Sequence, residues 1–204
     1  MEDKSSKLEL IFPNPIHVSW ASNVKEFDHI QKDFQRTYYD LVEKNKFDNQ
    51  HFGGNTVLLS DGEFNENLLD KYKLNTFKSF LSQSIEDFLK QLGFPSIPGY
   101  RITASWMTLN KKGLFSPPHT HAYSDLSGVY YFKTTGDDGS IFFENPNPLQ
   151  VAGLITHMID DRLYFKPEEG KLILFPGWLR HGVDFNKTDS DRVSVSFNIV
   201  FDRI

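Results

Sequence analysis

Two histidines separated by a single residue are the feature of this sequence that points most directly to chemistry. His119 and His121 flank Thr120 and follow directly after Pro117 and Pro118. Successive side chains of an extended backbone point to opposite sides, so an extended Thr120 places both imidazoles on the same side. Proline favours such an extended approach to the pair. Because imidazole is a common ligand of transition metals, this spacing predicts that the two histidines share one metal ion.

A third histidine and an arginine lie further along the chain, in a similarly informative segment. The apolar strand pattern Lys171–Phe175 ends at Pro176, and His181 follows after a short loop. Eleven residues after His181 the sequence Arg192-Val193-Ser194 opens another strand pattern. Alternation along that strand puts Arg192 and Ser194 on one side, where a guanidinium and a hydroxyl can bind a carboxylate. Each feature alone is weak, but their joint occurrence in this order predicts a metal site next to an anion site.

Composition limits the classes of protein to be considered. The chain has 204 residues, of which 39% are hydrophobic and 24% charged, and it has no cysteine. At about 150 residues per domain, this predicts one domain over residues 1–204, with a helical support region at 22–95 and a β core at 100–204. The lack of cysteine excludes disulfides, iron–sulfur clusters and thiolate zinc sites. The absence of a long apolar run and of a signal-peptide layout predicts a cytoplasmic protein without a membrane partner. A formal charge of −5 and no basic cluster argue against nucleic acid as a partner.

The N-terminal half carries two stripes of apolar residues with helical spacing. The first begins after Ser22 or Asn23 as the expected N-cap, and the second begins after Asn75 or Thr76 and stops at Gly93 and Pro95. The stripes consist of Val24, Phe27, Ile30, Phe34, Tyr38 and Leu41, and of Phe77, Phe80, Leu81, Ile85, Phe88, Leu89 and Leu92. Such stripes are typical of packing faces. Between the helices, residues 45–66 are expected to form a loop with one short strand at Thr56–Leu59.

Short strand patterns separated by turns follow residue 100. The seven candidates are Arg101–Leu109, Leu126–Lys133, Ser140–Glu144, Arg162–Phe165, Lys171–Phe175, Gly182–Phe185 and Arg192–Asp202. Strands at this spacing favour a sandwich or barrel over a parallel sheet. The sequence therefore predicts a mainly-β jelly roll with two N-terminal helices covering one sheet. Residues 45–66 and 145–160 are the loops expected to contact a substrate.

Four segments together resemble a known enzyme family. They are Pro118–His121, the Leu-Ser-Gly-Val-Tyr-Tyr-Phe strand at Leu126–Phe132, Gly170–His181 and Arg192–Ser194. In combination they look like the iron(II)- and 2-oxoglutarate-dependent oxygenases, and within them a subgroup of 2OG-Fe(II) oxygenases with a His-Thr-His proximal motif. The resemblance implies a double-stranded β-helix, Fe(II) as metal cofactor, 2-oxoglutarate as co-substrate and O2 as oxidant. It also implies a hydroxylase that couples 2-oxoglutarate decarboxylation to C–H oxidation.

The resemblance assigns a role to each candidate residue. His119 and His181 match metal ligands of the family, and His121 occupies the position that is usually a carboxylate. The residues implied in co-substrate binding are Arg192, Ser194, Tyr131 and Asn110, with Arg192 on the distal carboxylate of 2-oxoglutarate. Three neutral ligands leave the full charge of a divalent metal, which the dianionic co-substrate can balance.

Alternatives remain open at this point. Asp125 can replace one of the paired histidines as a ligand, or the site can lack a redox metal. Two other functions fit parts of the pattern: a three-histidine dioxygenase that does not use 2-oxoglutarate, and a non-catalytic jelly roll that binds sugar or peptide through Trp20, Trp106 and Trp178. The substrate, a small molecule or a peptide or protein, is not specified by the sequence.

Overall fold

The fold is mainly β, with two antiparallel sheets that face each other and helices packed outside one of them. The structure is a computed structural model that describes residues 14–44, 47–48, 57–59, 67–121, 123–147 and 161–202. This arrangement is the predicted double-stranded β-helix, or jelly roll, with supporting helices at its N-terminal side. The predicted strand at Thr56–Leu59 is present as Val57–Leu59, and the rest of residues 49–66 lies outside the described ranges.

Two long helices form on the two apolar stripes. Helix α1 covers Phe27–Glu43 and helix α3 covers Asn75–Gln91, with a short helix α2 at Leu68–Lys71 between them and a 3-10 turn at Ala21–Asn23 before them. Both predicted N-caps were wrong. The first helix begins after Glu26 because residues 21–23 form the separate 3-10 turn, and the second begins after Leu74. Within the described part of the chain, no helix is long and apolar enough to cross a membrane.

Eleven strands, numbered in chain order, build the two sheets in the described residues. They are β1 His17–Trp20, β2 Phe47–Asp48, β3 Val57–Leu59, β4 Tyr100–Asn110, β5 Ser116–His119, β6 Leu126–Lys133, β7 Ile141–Glu144, β8 Arg162–Phe165, β9 Lys171–Pro176, β10 His181–Val183 and β11 Arg192–Phe201. The major sheet has the order β1-β9-β6-β11-β4-β3-β2, and the minor sheet has the order β5-β10-β7-β8. Neighbouring strands are antiparallel throughout.

Two strands of functional interest differ from the sequence prediction. Strand β5 was not predicted, since it contains Pro117 and Pro118, which are typical of turns. It lies at the edge of the minor sheet, where proline is tolerated because no partner needs its missing N–H. Strand β10 begins at His181 itself rather than at Gly182. Both metal-ligand candidates on the minor sheet therefore lie on paired backbone.

The hydrophobic core has two layers. The larger one lies between the long helices and the major sheet, where Tyr130 contacts the rings of Phe34 and Phe77 at centroid distances of 5.2 Å and 4.8 Å. The smaller one lies between the two sheets and includes Val129, Tyr131 and Phe175. Because side chains alternate along β6, neighbouring tyrosines serve different layers. Tyr131 is the one directed between the sheets, where the candidate site lies.

Gly128 offers a stability test of the larger layer. An added Cβ would collide with the ring of Phe197 and come within 2.8 Å of Leu174 Cδ2. Overpacking of this kind typically costs about 1–3 kcal/mol, so we expect Gly128→Ala to lower the free energy of unfolding by that amount in urea titrations. Adding Phe197→Leu should recover part of the loss, since the smaller side chain leaves room for the methyl group. Strictly additive effects of the two substitutions would contradict this packing.

Candidate metal centre

Three imidazoles converge between the two sheets. The metal-binding atoms that His119, His121 and His181 offer all lie within 4.8 Å of one another. Their ring centroids are separated by 4.4 Å between His119 and His181 and by 5.1 Å for each of the other two pairs. Among the described residues, this is the group of three or more potential ligand side chains close enough to hold one ion. The donor set is made of nitrogen alone, which suits a divalent transition metal.

Backbone contacts fix where these rings lie. His119 ends β5 and pairs directly with His181 at the start of β10. The Nδ1 atoms of His119 and His181 lie 2.8 Å from the carbonyl oxygens of Pro117 and Leu179, respectively. A carbonyl can only accept, so each Nδ1 carries the proton and Nε2 is the nitrogen that can bind a metal. The N–H of His121 donates to the carbonyl of Gly177 at 2.7 Å, which ties its loop to the one before His181.

The environment keeps these imidazoles neutral. Burial is the main cause that lowers the pKa of His181 to about 3, with the nearby His119 and His121 adding to the effect. Burial and the neighbouring His119 lower the pKa of His121 to about 4. Burial also lowers the pKa of His119. Neutral imidazole is the form that binds a metal, so no proton has to leave these rings for binding at neutral pH.

The same shifts predict that acid destabilises the metal-free protein. Unfolding returns His121 and His181 to an ordinary pKa of 6.5, so the unfolded chain binds more protons below that pH. The contribution of these two residues to the free energy of unfolding is therefore fully present above about pH 6.5. It decreases as the pH falls toward their folded pKa values. Between about pH 7.5 and pH 5 we expect a loss of about 2 kcal/mol from each residue.

Urea unfolding in the presence of EDTA measures this loss. In His181→Gln, the part of the loss in the free energy of unfolding that comes from His181 should disappear, because glutamine does not titrate. His29→Gln is the control, since His29 lies on the exposed side of α1 beside Asp33. The assignment to the buried cluster would be wrong if His181→Gln kept the full pH dependence of the wild type.

Asp125, the alternative ligand, is engaged elsewhere. Its carboxylate Oδ2 accepts a hydrogen bond from the N–H of Phe201 at 2.7 Å, and its own N–H donates to Ile199 at 2.9 Å. These bonds fasten the loop after His121 to the end of β11. The structure therefore brings together the three histidines and holds Asp125 at the end of β11.

A buried cation lies in the same pocket as the histidines. Arg192 opens β11, is 2% exposed, and lines the pocket together with His119, His121 and His181. Its Nη1 donates to the carbonyl of Gly139 at 2.5 Å, but its buried Nε has no hydrogen-bond partner among the described residues. An unsatisfied buried donor on a charged group is costly unless a ligand completes it. This pattern is typical of a guanidinium that binds an anionic ligand.

A second unpartnered donor lies directly beside Arg192. Asn110 is paired with Arg192 in the register of β4 and β11, and its buried Nδ2 also lacks a partner within the part of the chain that the structure describes. Ser194 faces the same pocket, with its hydroxyl 2.7 Å from that of Thr108. The aromatic ring of Tyr131 also lines this pocket, and the guanidinium carbon of Arg192 lies 6.0 Å from the centroid of that ring. The four predicted co-substrate residues thus line one pocket with the three histidines, and the arrangement fits a carboxylate at its Arg192 end.

Trp106 and Thr108 were not assigned to the metal pocket from the sequence, although alternation along β4 could have placed them there. Trp106 and Thr108 precede Asn110 by four and two residues on β4, and both line the pocket. The ring of Trp106 lies 5.9 Å from that of His121. Of the other histidines, His17 stacks on Phe88 and His29 lies beside Asp33 on α1, whereas His51 and His157 lie outside the described ranges.

Comparison with known proteins agrees with this geometry. Residues 104–198, which span the strands that carry all seven site candidates, match the family model described as "Putative 2OG-Fe(II) oxygenase". The jelly-roll region of the chain is therefore similar to the 2OG-Fe(II) oxygenases. Fe(II) and 2-oxoglutarate are the cofactor and co-substrate of this family, as predicted. No curated protein sequence matches the chain.

Solved structures of several enzymes share the fold. The epimerase SnoN from nogalamycin biosynthesis superposes with a TM-score of 0.67 at 12% identity, over 92% of this chain and 78% of that one. A Pseudomonas putida prolyl-4-hydroxylase gives 0.58 at 13% identity, over 93% of this chain and 94% of that one. HygX from Streptomyces hygroscopicus, with nickel and 2-oxoglutarate bound, gives 0.57 at 14% identity, over 91% and 82%. At such identities the likeness establishes the fold alone.

Proposed function

We propose that this protein is an Fe(II)- and 2-oxoglutarate-dependent oxygenase that hydroxylates a C–H bond of a small molecule or peptide. The observation that carries the proposal is one pocket containing three converging imidazoles and a buried arginine with an unpartnered Nε. The metal ligands are His119, His121 and His181. When bound, Fe(II) supplies the oxidative chemistry with O2, in which 2-oxoglutarate yields succinate and CO2.

The residues of the chain contribute binding, orientation and exclusion of water. Arg192 holds the distal carboxylate of 2-oxoglutarate through a charge-assisted hydrogen bond, and the amide of Asn110 adds a second donor beside it. The hydroxyl of Ser194 completes this end of the pocket. Because Arg192 and the three histidines line one pocket, a co-substrate held at Arg192 can reach the metal with its 2-oxo acid end.

Apolar side chains surround the histidines and exclude water from this part of the pocket. The ring of Phe175 lies 4.5 Å from that of His181, and Phe143 lies 5.9 Å from it. Val129 and Ile141 line the same cavity. Excluding water strengthens the electrostatic interactions inside and protects a reactive oxidant from side reactions. We place the substrate beside Trp106, since that ring lines the pocket, is partly exposed and flanks His121.

Hydroxylation is the simplest oxidative outcome for this pocket, because it needs no further group to redirect the oxidised substrate. The two other candidate functions leave features without a role: neither a 2-oxoglutarate-independent dioxygenase nor a sugar-binding module requires the buried Arg192.

Turnover without added substrate tests the proposal. Protein loaded with Fe(II) is supplied with 2-oxoglutarate and the reductant ascorbate in air, and O2 consumption and succinate are measured against a blank without protein. We expect slow O2 uptake that requires 2-oxoglutarate and produces succinate, and neither in His181→Ala. O2 uptake that occurs only with a candidate thiol or ring substrate and does not depend on 2-oxoglutarate would support the alternative dioxygenase. Failure to bind Fe(II), Mn(II) or Ni(II) in calorimetry would support the binding module.

A further inference from the structure

The buried carboxylate of Asp138 lies near Arg192, the arginine that lines the pocket. Asp138 is 0% exposed in the turn between β6 and β7, and Arg192 is 2% exposed. The next residue, Gly139, supplies the carbonyl that accepts the hydrogen bond from Arg192 Nη1. The carboxylate of Asp138 and the guanidinium of Arg192 are thus both buried. The turn that contains Asp138 also accepts the hydrogen bond from Arg192.

Hydrogen bonds suit the ionised form of Asp138. The hydroxyl of Thr134 donates to Oδ1 at 2.6 Å, and the backbone N–H and hydroxyl of Thr135 donate to Oδ2 at 2.7 Å and 3.2 Å. An ionised carboxylate is an acceptor only, and here all three partners are donors. The carboxylate is therefore held without using the guanidinium of Arg192.

Asp138 acts on the pocket through its charge. Burial lowers the pKa of Arg192, and the charges of Tyr131 and Asp138 act in the opposite direction. Tyr131 is neutral at physiological pH, since burial, opposed by Arg192 and assisted by Asp138, raises its pKa to about 12. The ionised group that compensates Arg192 is therefore Asp138.

We propose that Asp138 sets the affinity for 2-oxoglutarate, as a resident counter-charge that stabilises Arg192 in the empty protein and opposes the arriving carboxylate. This inference rests on the proposed function. Three neutral imidazoles, a divalent metal, Arg192, Asp138 and the co-substrate dianion sum to zero net charge. Removing the charge of Asp138 leaves an excess positive charge next to the distal carboxylate, which favours binding of the dianion. Asp138 is a positioning residue, because it acts through Arg192.

The neutral variant Asp138→Asn tests this role with two measurements, the affinity for 2-oxoglutarate and the free energy of unfolding, which we expect to change in opposite directions. Its amide can keep the bonds to Thr135 through oxygen and donate to the hydroxyl of Thr134. We expect 2-oxoglutarate to bind about tenfold more tightly, a change of about 1.4 kcal/mol, in calorimetry of the Ni(II)-loaded protein. The free energy of unfolding without metal and co-substrate should decrease, because Arg192 loses its counter-charge. Damage to the turn would instead weaken both stability and binding.

Two controls isolate the charge. The ligand 2-oxopentanoate has the carbon chain of 2-oxoglutarate without the distal carboxylate, so its affinity should not change in Asp138→Asn. Thr134→Val removes one hydrogen bond to Asp138 and keeps the charge, so it should leave the 2-oxoglutarate affinity within about twofold of wild type. In an Arg192→Ala background, Asp138→Asn should improve binding less, because the part of the effect that acts through Arg192 is lost.

The outcomes separate this inference from the function on which it rests. If the Ni(II)-loaded wild type does not bind 2-oxoglutarate, the proposed function fails. If the wild type binds it and Asp138→Asn binds it equally or more weakly, the counter-charge role is overturned and the function stands. Should Asp138→Asn not fold, Asp138→Ser removes the same charge with a smaller side chain, and the same tightening is required of it.

Discussion

Arg192→Ala weakens 2-oxoglutarate binding by about 30- to 1,000-fold, or about 2–4 kcal/mol, if the guanidinium holds the distal carboxylate. Such a large effect is expected because Arg192 is 2% exposed, so that its interaction with an anion is little screened by water. Calorimetry of 2-oxoglutarate with the Ni(II)-loaded variant measures the loss. Affinity for 2-oxopentanoate should change much less, since it lacks the carboxylate that Arg192 binds.

The matched control is an arginine of the minor sheet. Arg162 pairs with Glu144 at 2.8 Å and has 39% of its side chain exposed, so Arg162→Ala removes the same formal charge outside the pocket. It should leave 2-oxoglutarate affinity within about twofold of wild type. Arg192→Lys should fall between the two, because lysine keeps the charge but loses the forked donor geometry. Equal affinities of Arg192→Ala and wild type would remove Arg192 from the site.

Much of this site follows from side-chain alternation along strands. Arg192 and Ser194 share a face of β11, and Val129 and Tyr131 share a face of β6, as period-two patterns predict. The same rule extends from Asn110 back to Thr108 and Trp106, which were not predicted. Strand register then supplies what periodicity along one strand cannot, namely that Asn110 lies opposite Arg192.

Other features depend on long-range packing and could not be predicted from local sequence. Asp138 lies in a Gly-Asp-Asp-Gly segment that looks like an exposed turn, and only the fold shows that Asp138 is buried while Asp137 is not. Asp125 and His121 are close in sequence, yet the end of β11 captures the carboxylate of Asp125. The N-terminal region likewise adds β1 to the major sheet by pairing with β9, a contact between segments far apart in the chain. The division of the chain into a support region at 22–95 and a core at 100–204 remains a prediction.

Removal of one imidazole is expected to have the largest effect on the protein. His181→Ala should reduce the affinity for Ni(II) or Mn(II) by at least about 100-fold, because losing a direct ligand exceeds the 10- to 100-fold effect typical of groups that only orient ligands. Oxygen uptake should fall to background in the same variant. Calorimetric titration of the metal-free protein measures the affinity. His29→Ala, on the exposed side of α1, should bind the metal as the wild type does.

His121→Asp distinguishes a ligand role for His121 from a packing role. An aspartate at this position can supply a carboxylate oxygen, and two histidines with one carboxylate form an established ligand set for Fe(II). We therefore expect His121→Asp to bind Mn(II) far better than His121→Ala. The added negative charge should at the same time weaken 2-oxoglutarate binding, since it cancels one of the charges that attract the dianion. If His121→Asp and His121→Ala bound Mn(II) equally weakly, the ring of His121 would serve packing against Trp106 and not the metal.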